Sequence, residues 1–205
     1  MAENKNHWYD GIFYDKFIAP NQDNAFKKVK NIIRENSTVL DVGCGTGRMP
    51  FQLKDKCKKV DGLDLSERNI KIAGKKLSTN PSDKIEFFHA DANRFLEDTV
   101  IKYDYAVLSY VIHEVNPNER APLLNLLALK ADEIIIVDYL VPRRKGFTDS
   151  INGIVEFLAG NEHFRNFKSY VSNGGLHGLA LESGLKITKE IVNSPVTAHI
   201  AVLKR

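Results

Sequence analysis

Three glycines at alternate positions, Gly43, Gly45 and Gly47, directly follow a mainly apolar run, residues 39–42. The run is typical of a buried strand, and residues 48–56 after the glycines are compatible with a helix. A strand, a glycine turn and a helix start bring backbone N–H groups close to an anionic part of a ligand. Glycine suits such a turn because a side chain would obstruct the ligand or the backbone conformation. The sequence therefore predicts a ligand site where this strand ends.

The spacing of the glycines discriminates between ligands. A dinucleotide fingerprint, G-x-G-x-x-G, would have its third glycine at position 48, which is Arg48. A phosphate-binding P-loop, G-x-x-x-x-G-K-[ST], is absent from the sequence. Residues 41–48, D-V-G-C-G-T-G-R, instead resemble the first motif of class I S-adenosylmethionine (SAM)-dependent methyltransferases. The plain alternative is a tight strand–helix connection that binds no ligand.

Two further aspartates follow predicted strands. Asp64 lies in the strand Lys59–Leu65, 21 residues after the first glycine, where a carboxylate can accept two hydrogen bonds from a ribose diol. Asp91 follows the strand Lys84–His89 and could accept a hydrogen bond from an adenine amino group. A single aspartate at a strand end is more often a turn former or a helix cap. Together with Asp41, however, the two aspartates fit the spacing of a SAM site.

The resemblance implies a role for each of these residues. The first aspartate and the three glycines would surround the methionyl part of SAM, and an acidic group there suits a cationic ligand. Asp64 would hold the ribose hydroxyls, and Leu65 would pack on the adenine. Asp91 and Ala92 would contact the edge of the adenine ring, and the backbone of Ser109 would line the methionine end of SAM. The predicted cofactor-binding set is Asp41, Gly43, Gly45, Gly47, Asp64, Leu65, Asp91, Ala92 and Ser109, with S-adenosyl-L-homocysteine as the product.

The elements that position these residues predict an α/β fold in one domain, residues 1–205. Strands are predicted at Thr38–Val42, Lys59–Leu65, Lys84–His89, Tyr103–Tyr110, Glu133–Tyr139, Leu185–Val192 and Pro195–Leu203. Helices are predicted at Arg48–Lys56, Glu67–Leu77, Asn93–Glu97, Ser150–Ala159 and Ser172–Ser183, and others open at Pro20 and Asn116. The closing hairpin departs from a plain dinucleotide fold. It resembles the doubly wound seven-stranded methyltransferase sheet, mostly parallel, with strand order 3-2-1-4-5-7-6, an antiparallel last strand and helices on both faces.

Methyl transfer is an in-line displacement at a sulfonium carbon, so the protein mainly aligns the acceptor and excludes water. An acidic O–H, S–H or N–H acceptor can also need a base. His113 is the predicted catalytic residue, because it lies just beyond the fourth strand, where the methyl group should point. His163 is a second candidate. The alternatives are that His113 caps the following helix or bonds Glu114, and that His163 is an exposed loop residue.

Two aromatic-rich segments are predicted to close over the acceptor. One is an N-terminal helical lid, residues 1–36, whose alternative is a helix that merely caps the sheet. The other is an inserted lid segment, residues 141–170, which is longer than a connection requires. The predicted acceptor contacts are Tyr9, Tyr14, Tyr139, Phe157 and His163.

The residues after the fourth strand separate the methyltransferase subclasses. Residues 109–112, S-Y-V-I, lack the [D/N]-P-P-[Y/F/W] motif of amino-methylating DNA enzymes. Neither Cys44 nor Cys57 is placed to be the nucleophile of a cytosine-C5 enzyme. Asp138 has no acidic partner near Ser109, so the sequence predicts no metal of the catechol type. The remaining prediction is a metal-independent methyltransferase of a small molecule.

Composition limits the partners. A net charge of +3 over 205 residues is too mild to indicate nucleic acid. No apolar run approaches the roughly 20 residues of a membrane span, and the first residues lack a signal core. We therefore expect a cytoplasmic protein whose partner is a small-molecule acceptor. The alternatives are a non-catalytic SAM-binding or partner-binding protein and a nicotinamide-dependent oxidoreductase; Arg48 and the closing hairpin argue against the oxidoreductase.

Overall fold

The computed structural model describes residues 22–141, 161–192 and 198–205. Its strands are β1 (Thr38–Val42), β2 (Lys59–Asp64), β3 (Ile85–His89), β4 (Tyr103–Ser109), β5 (Ala131–Tyr139), β6 (Lys186–Val192) and β7 (Ala198–Lys204). Its helices are α1 (Asp23–Ile32), α2 (Arg48–Leu53), α3 (Glu67–Thr79), α4 (Ala92–Asp98), α5 (Pro117–Lys130), α6 (Asn161–Ser172) and α7 (Gly175–Ser183). None of these described helices combines the length and the apolar character that crossing a membrane demands.

The strands form one sheet in the order β3-β2-β1-β4-β5-β7-β6, which confirms the predicted topology. Strands β1 to β5 pair in parallel, whereas β7 lies antiparallel between β5 and β6. Parallel pairs need crossover connections, and these connections place helices on the faces of the sheet. The fold class is therefore the predicted α/β class.

The strand β5 is buried on both faces, as its unbroken apolar run predicts. Ile134 and Ile136 belong to the core under α5 and α7, whereas Ile135 and Val137 belong to the core under α1 and α2. Successive side chains of a strand point to opposite faces, so one run of four apolar residues contributes to two cores.

Local signals set the start of two helices. The Ser66 hydroxyl accepts a hydrogen bond from the Asn69 N–H and so caps the start of α3. The Asn116 side chain accepts a hydrogen bond from the Asn118 N–H, and Pro117 is the first residue of α5.

Two predictions about the C-terminal third were wrong. Residues 161–172, which were assigned to an irregular insertion, form α6, and the single helix predicted at Ser172–Ser183 begins only at Gly175. Gly174 and Gly175 separate the two helices with φ of 86° and 61°, a left-handed conformation that suits glycine. Both helices pack on the same core, so the spacing of apolar residues does not reveal the break.

The predicted N-terminal lid is described only from residue 22 onward. Within it, α1 packs on the sheet through Ala25, Phe26 and Val29. The Arg48 guanidinium donates two hydrogen bonds to Asp23, at 2.7 and 2.6 Å, and so attaches the start of α1 to the start of α2. The described part of the lid is therefore a packed cap. Closure by residues 7–18 stays a prediction, because these residues lie outside the described ones.

Candidate functional site

The carboxyl ends of the parallel strands bring the residues of the predicted cofactor site to one edge of the sheet. In the register, Val42 pairs with Leu63 on one side and with Leu108 on the other, so the glycine turn lies between Asp64 and Ser109. Ligands of open α/β sheets bind at this edge, where the strand order reverses. The order β2-β1-β4 places that reversal at the glycine turn.

All three glycines of the turn adopt positive φ, 72° at Gly43, 55° at Gly45 and 82° at Gly47. A Cβ atom at Gly43 would lie 2.3 Å from a methyl carbon of Val111, and one at Gly47 would lie 2.5 Å from the Phe87 ring. The fold alone therefore requires glycine at these two positions, because neighbouring side chains already fill the space. The sequence interpretation of these glycines as room for a ligand is not needed to explain them.

The Asp64 carboxylate joins the end of β2 to the glycine turn. Its Oδ2 accepts a hydrogen bond from the Gly45 N–H at 2.8 Å, and its Oδ1 accepts one from the Ser66 N–H at 2.8 Å. The Asn69 side-chain amide is a further donor, 3.5 Å from Oδ1. The carboxylate is thus fixed in orientation at the predicted ribose position.

Asp41 is the buried acidic group of the site. Its side chain is 1% exposed, and its Oδ2 has no hydrogen-bond partner among the described residues. Burial raises the pKa of Asp41 to about 8, and the nearby charge of Asp64 adds to the increase. An uncompensated buried carboxyl is costly unless a ligand supplies a donor or a positive charge. The Ser109 hydroxyl is likewise buried with no hydrogen-bond partner in the described ranges.

The residues predicted at the adenine end have structural roles of their own. Asp91 is the N-cap of α4, and its Oδ1 accepts a hydrogen bond from the Arg94 N–H at 3.1 Å. Ala92 is the first residue of that helix. The Leu65 carbonyl lies 3.0 Å from the His89 Nε2, and the Leu65 side chain is half-buried. The helix-cap alternative for Asp91 is therefore realised, and its adenine contact stays a prediction.

His113 lies beyond the end of β4 and forms a buried pair with Asp138 of β5. The His113 Nδ1 is 2.7 Å from the Asp138 Oδ1, and the His113 backbone N–H donates to Oδ2 of the same carboxylate at 3.2 Å. The Tyr139 N–H donates to Oδ1 at 2.7 Å. Since His113 is 2% exposed and Asp138 is fully buried, the carboxylate fixes the position and the tilt of the imidazole ring.

Aromatic rings surround this pair. The His113 ring lies edge-to-face with Tyr139 at 4.9 Å, with Phe167 at 5.9 Å and with Tyr170 at 6.3 Å between centroids. These contacts are favourable and directional. The helix α6 thus supplies part of the wall of the site, although the sequence analysis assigned this stretch to a lid.

A buried arginine holds the chain around His113. Arg120 is 1% exposed and donates hydrogen bonds to the carbonyls of His113, Val115 and Asn166. The Asn166 amide in turn donates to the Glu114 carbonyl at 2.8 Å. Burial lowers the pKa of Arg120, and the charge of Asp138 opposes that decrease. Sequence reasoning missed Arg120, because no motif marks a residue that bonds only to main-chain carbonyls.

Both candidate histidines approach the same carboxylate. The Glu114 Oε1 lies 3.9 Å from the His113 Nε2 and 3.7 Å from the His163 Nδ1. His163 is a half-buried residue of α6, so its predicted alternative as an exposed loop residue was wrong. Tyr139 lies in the site, whereas Tyr9, Tyr14 and Phe157 are outside the described residues.

The known proteins to which this chain is similar are named as methyltransferases. Residues 39–129 match the family described as "Methyltransferase domain". A protein of Geobacillus sp. (strain WCH70) named as a methyltransferase is 36% identical over 136 residues, which cover 64% of this chain and 54% of that protein. The mitochondrial ribosomal RNA small subunit methyltransferase of Arabidopsis thaliana is 25% identical over 129 residues, 60% of this chain and 32% of that protein. The match thus spans about half or less of each relative's length.

Solved structures of low sequence identity share the fold. The mitomycin 7-O-methyltransferase MmcR has a TM-score of 0.70 at 15% identity, covering 94% of this chain and 56% of that chain. The magnesium protoporphyrin IX methyltransferase of Synechocystis PCC 6803 with bound SAH has a TM-score of 0.65 at 19% identity, covering 96% and 89%. This chain is thus similar to methyltransferases over residues 39–129, and its sheet has the fold of class I SAM-dependent methyltransferases.

Proposed function

We propose that this chain transfers a methyl group from SAM to a small-molecule acceptor, with His113 as general base and without a metal ion. The observation that carries the proposal is the uncompensated Asp41 carboxyl beneath the glycine turn. A cationic ligand bound there would favour the ionised carboxylate and remove its cost of burial. SAM carries such positive charge, so the residues present fit it.

The cofactor side of the site is assigned to residues that the fold already orders. Asp64, whose orientation is fixed by the Gly45 and Ser66 N–H groups, would accept hydrogen bonds from a ribose diol. Leu65, Asp91 and Ala92 would bind the adenine ring, and Ser109 the methionine end. When bound, SAM supplies an electrophilic methyl group, so the chain needs to bind, align and exclude water.

The acceptor side is assigned to the His113–Asp138 pair. In the neutral tautomer whose Nδ1–H donates to the Asp138 Oδ1, Nε2 is the basic ring nitrogen and would take the proton. The acceptor would lose its O–H, S–H or N–H proton to this nitrogen as its lone pair attacks. Asp138 acts through the histidine, because it orients the ring and stabilises the imidazolium that forms. Asp138 is therefore a positioning residue.

The hydrogen-bond partners of Asp138 support the proposal that the reaction needs no metal ion. Within the described residues, the Asp138 carboxylate bonds to N–H groups, namely the His113 ring and backbone and the Tyr139 backbone. A magnesium site would instead need several oxygen ligands around the cation. In the part of the chain that the structure describes, no group of three ligand residues includes Asp138.

The acceptor class is supported by the rings of Tyr139, Phe167 and Tyr170 around a nearly buried base. Such a setting suits a compact aromatic or apolar acceptor, and residues 7–18 and 141–170 are proposed to close over it. The relatives' names differ in substrate, since one methylates ribosomal RNA by its name and one structural neighbour carries a name for mitomycin. RNA is therefore included as an arm of the test.

Two measurements test the proposal on the full chain. Titration calorimetry with SAM, S-adenosylhomocysteine and NADH should show heat for the first two ligands only. Transfer of label from methyl-labelled SAM is then measured to a panel of small phenols, thiols and amines, to total RNA, and to any compound that mass spectrometry finds bound to the purified protein. Labelled small molecules support the proposal, whereas labelled RNA would correct the acceptor class. SAM binding with no transfer to any arm would favour a non-catalytic SAM-binding protein.

A further inference from the structure

A second cluster of ligand-type side chains lies at the other end of the sheet, outside the proposed active site. His177 of α7, Glu190 of β6 and His199 of β7 each offer one ligand atom, and these atoms lie within 4.8 Å of one another. The proposed methyl transfer uses none of the three. We propose that they form a binding site for a divalent transition-metal ion of the Zn²⁺ type.

The sheet register explains why two of the ligands converge. Glu190 pairs with Ala201 across the antiparallel hairpin, and Val192 pairs with His199. Ala201 and His199 are two residues apart on β7, so Glu190 and His199 point to the same face of the sheet. That face is covered by α7, which begins at Gly175 and places His177 above the hairpin.

Both imidazoles are directed at one oxygen atom. The Glu190 Oε1 lies 2.7 Å from the His177 Nε2 and 2.9 Å from the His199 Nε2. The two rings are 5.3 Å apart between centroids and inclined by 34°. Zinc binds imidazole nitrogen and carboxylate oxygen at about 2.0–2.2 Å, so a small outward movement of Glu190 would admit the ion. Glu190 has room for this movement, since its side chain is 41% exposed.

The chemistry of the donors selects the class of ion. Imidazole suits zinc, copper, nickel and iron, whereas calcium and magnesium prefer sites built of oxygen ligands. Three protein ligands leave the fourth position of a tetrahedral ion to water. The plain alternative is a His–Glu–His hydrogen-bonded triad that binds no ion.

An ion at this site would link α7 to the terminal hairpin. His199 pairs with Asp138 in the register of β5 and β7, so the link would be attached one strand away from the His113–Asp138 pair. The site is therefore placed to stabilise the β5–β7–β6 end of the sheet. The inference does not depend on the proposed methyl transfer.

The test uses the untagged full chain, because expression tags add histidines. The protein is treated with a chelator, and ZnCl₂ binding is measured by competition calorimetry, with the bound metal counted by mass spectrometry. We expect one zinc per chain, and an increase in Tm of about 5–10 °C at a hundredfold excess over Kd. Co²⁺ in place of Zn²⁺ should give the visible absorption of a four-coordinate ion.

The controls separate a site from adventitious binding. His177→Ala and Glu190→Gln alter exposed side chains, and each should weaken zinc binding at least about tenfold and abolish the increase in Tm. His89→Gln, at an exposed histidine of β3, is the matched control and should leave affinity unchanged. The absence of stoichiometric binding after chelation would overturn the proposal. Equal affinity in the His177→Ala, Glu190→Gln and unmodified proteins would overturn it as well, and would leave the hydrogen-bonded triad.

Discussion

The carboxylate of Asp64 accepts a hydrogen bond from the Gly45 N–H at 2.8 Å and thereby joins the end of β2 to the glycine turn that follows β1. The two residues are 19 positions apart in the sequence. A side chain proposed to bind the ribose thus also shapes the loop proposed to bind the methionine end of the same cofactor. The loss of this carboxylate should affect both parts of the ligand.

Asp64→Ala should weaken SAM binding by roughly 2–4 kcal/mol, because charge-assisted hydrogen bonds to the ribose are lost. Titration calorimetry measures the affinity, and Asp83→Ala, at an exposed turn residue, is the control. A melting curve is needed beside it, since the variant also removes the bond to the Gly45 N–H. Unchanged affinity in a folded Asp64→Ala protein would remove the ribose assignment.

Gly45→Val should abolish detectable SAM binding. Gly45 has a φ of 55°, and a β-branched residue is strained in that conformation. Gly74→Ala is the matched control, because a Cβ atom at this helical glycine meets nothing within 4 Å. That control should bind SAM normally and be more stable by about 0.5–1 kcal/mol. Tight SAM binding by folded Gly45→Val would contradict the assignment of the turn.

Because of Asp41, the free energy of unfolding should fall as pH rises. The pKa of Asp41 is about 8 in the folded protein, against 3.8 for an ordinary aspartate, so between these values the folded protein holds a proton that the unfolded chain has lost. The stabilisation is complete below about pH 4 and is lost as pH rises through about 8. Urea unfolding at pH 5 and pH 8 should show a decrease of about 2–4 kcal/mol that Asp41→Asn removes. If the free energy of unfolding has the same pH dependence in the unmodified protein and in Asp41→Asn, this assignment to Asp41 is contradicted.

The same carboxyl should couple SAM binding to proton release. A cationic ligand favours ionised Asp41, so binding at pH 7 should release protons, up to about one per SAM. Calorimetry in two buffers of different ionisation enthalpy counts them. Asp41→Asn should bind SAM more weakly and release none. Equal proton release by the variant would assign the effect to another group.

The His113–Asp138 pair should control turnover more than SAM affinity. Once the screen has identified an acceptor, His113→Ala should lower kcat more than about tenfold, the usual range for a lost acid–base group. Asp138→Asn keeps the shape of the side chain but loses the charge that stabilises the imidazolium. This variant should therefore also lower kcat, and it should change the pH–rate profile. Glu119→Gln, at an exposed position on α5, is the activity control.

The distribution of effects decides the role. If His113→Ala weakens only SAM binding, the histidine belongs to the cofactor side. If neither variant changes kcat, the pair is structural.

Fluorescence of Trp8, the only tryptophan of the chain, offers a separate test of the proposed lid, because closure over the acceptor should change its signal.

The sequence by itself determined the features that are local in the chain. The three glycines at alternate positions, the apolar run through Ile136 and the residues that start α3 and α5 depend on neighbours only a few positions away. Pattern and spacing were therefore enough to predict the strands and these two helix starts, whereas the order of the strands was implied by the family resemblance. The spacing of Asp41 and Asp64 was informative for the same reason, since parallel strands end at one edge of the sheet.

Tertiary structure alone decided which distant groups meet. Asp138 as the partner of His113, Arg120 as the holder of three carbonyls, and the convergence of His177 with Glu190 and His199 all depend on strand register and helix packing, which no short-range spacing encodes. The left-handed break at Gly174 was hidden because helices on either side pack on one core. Likewise, Gly43 and Gly47 are required by Val111 and Phe87, contacts that exist only once the sheet is assembled.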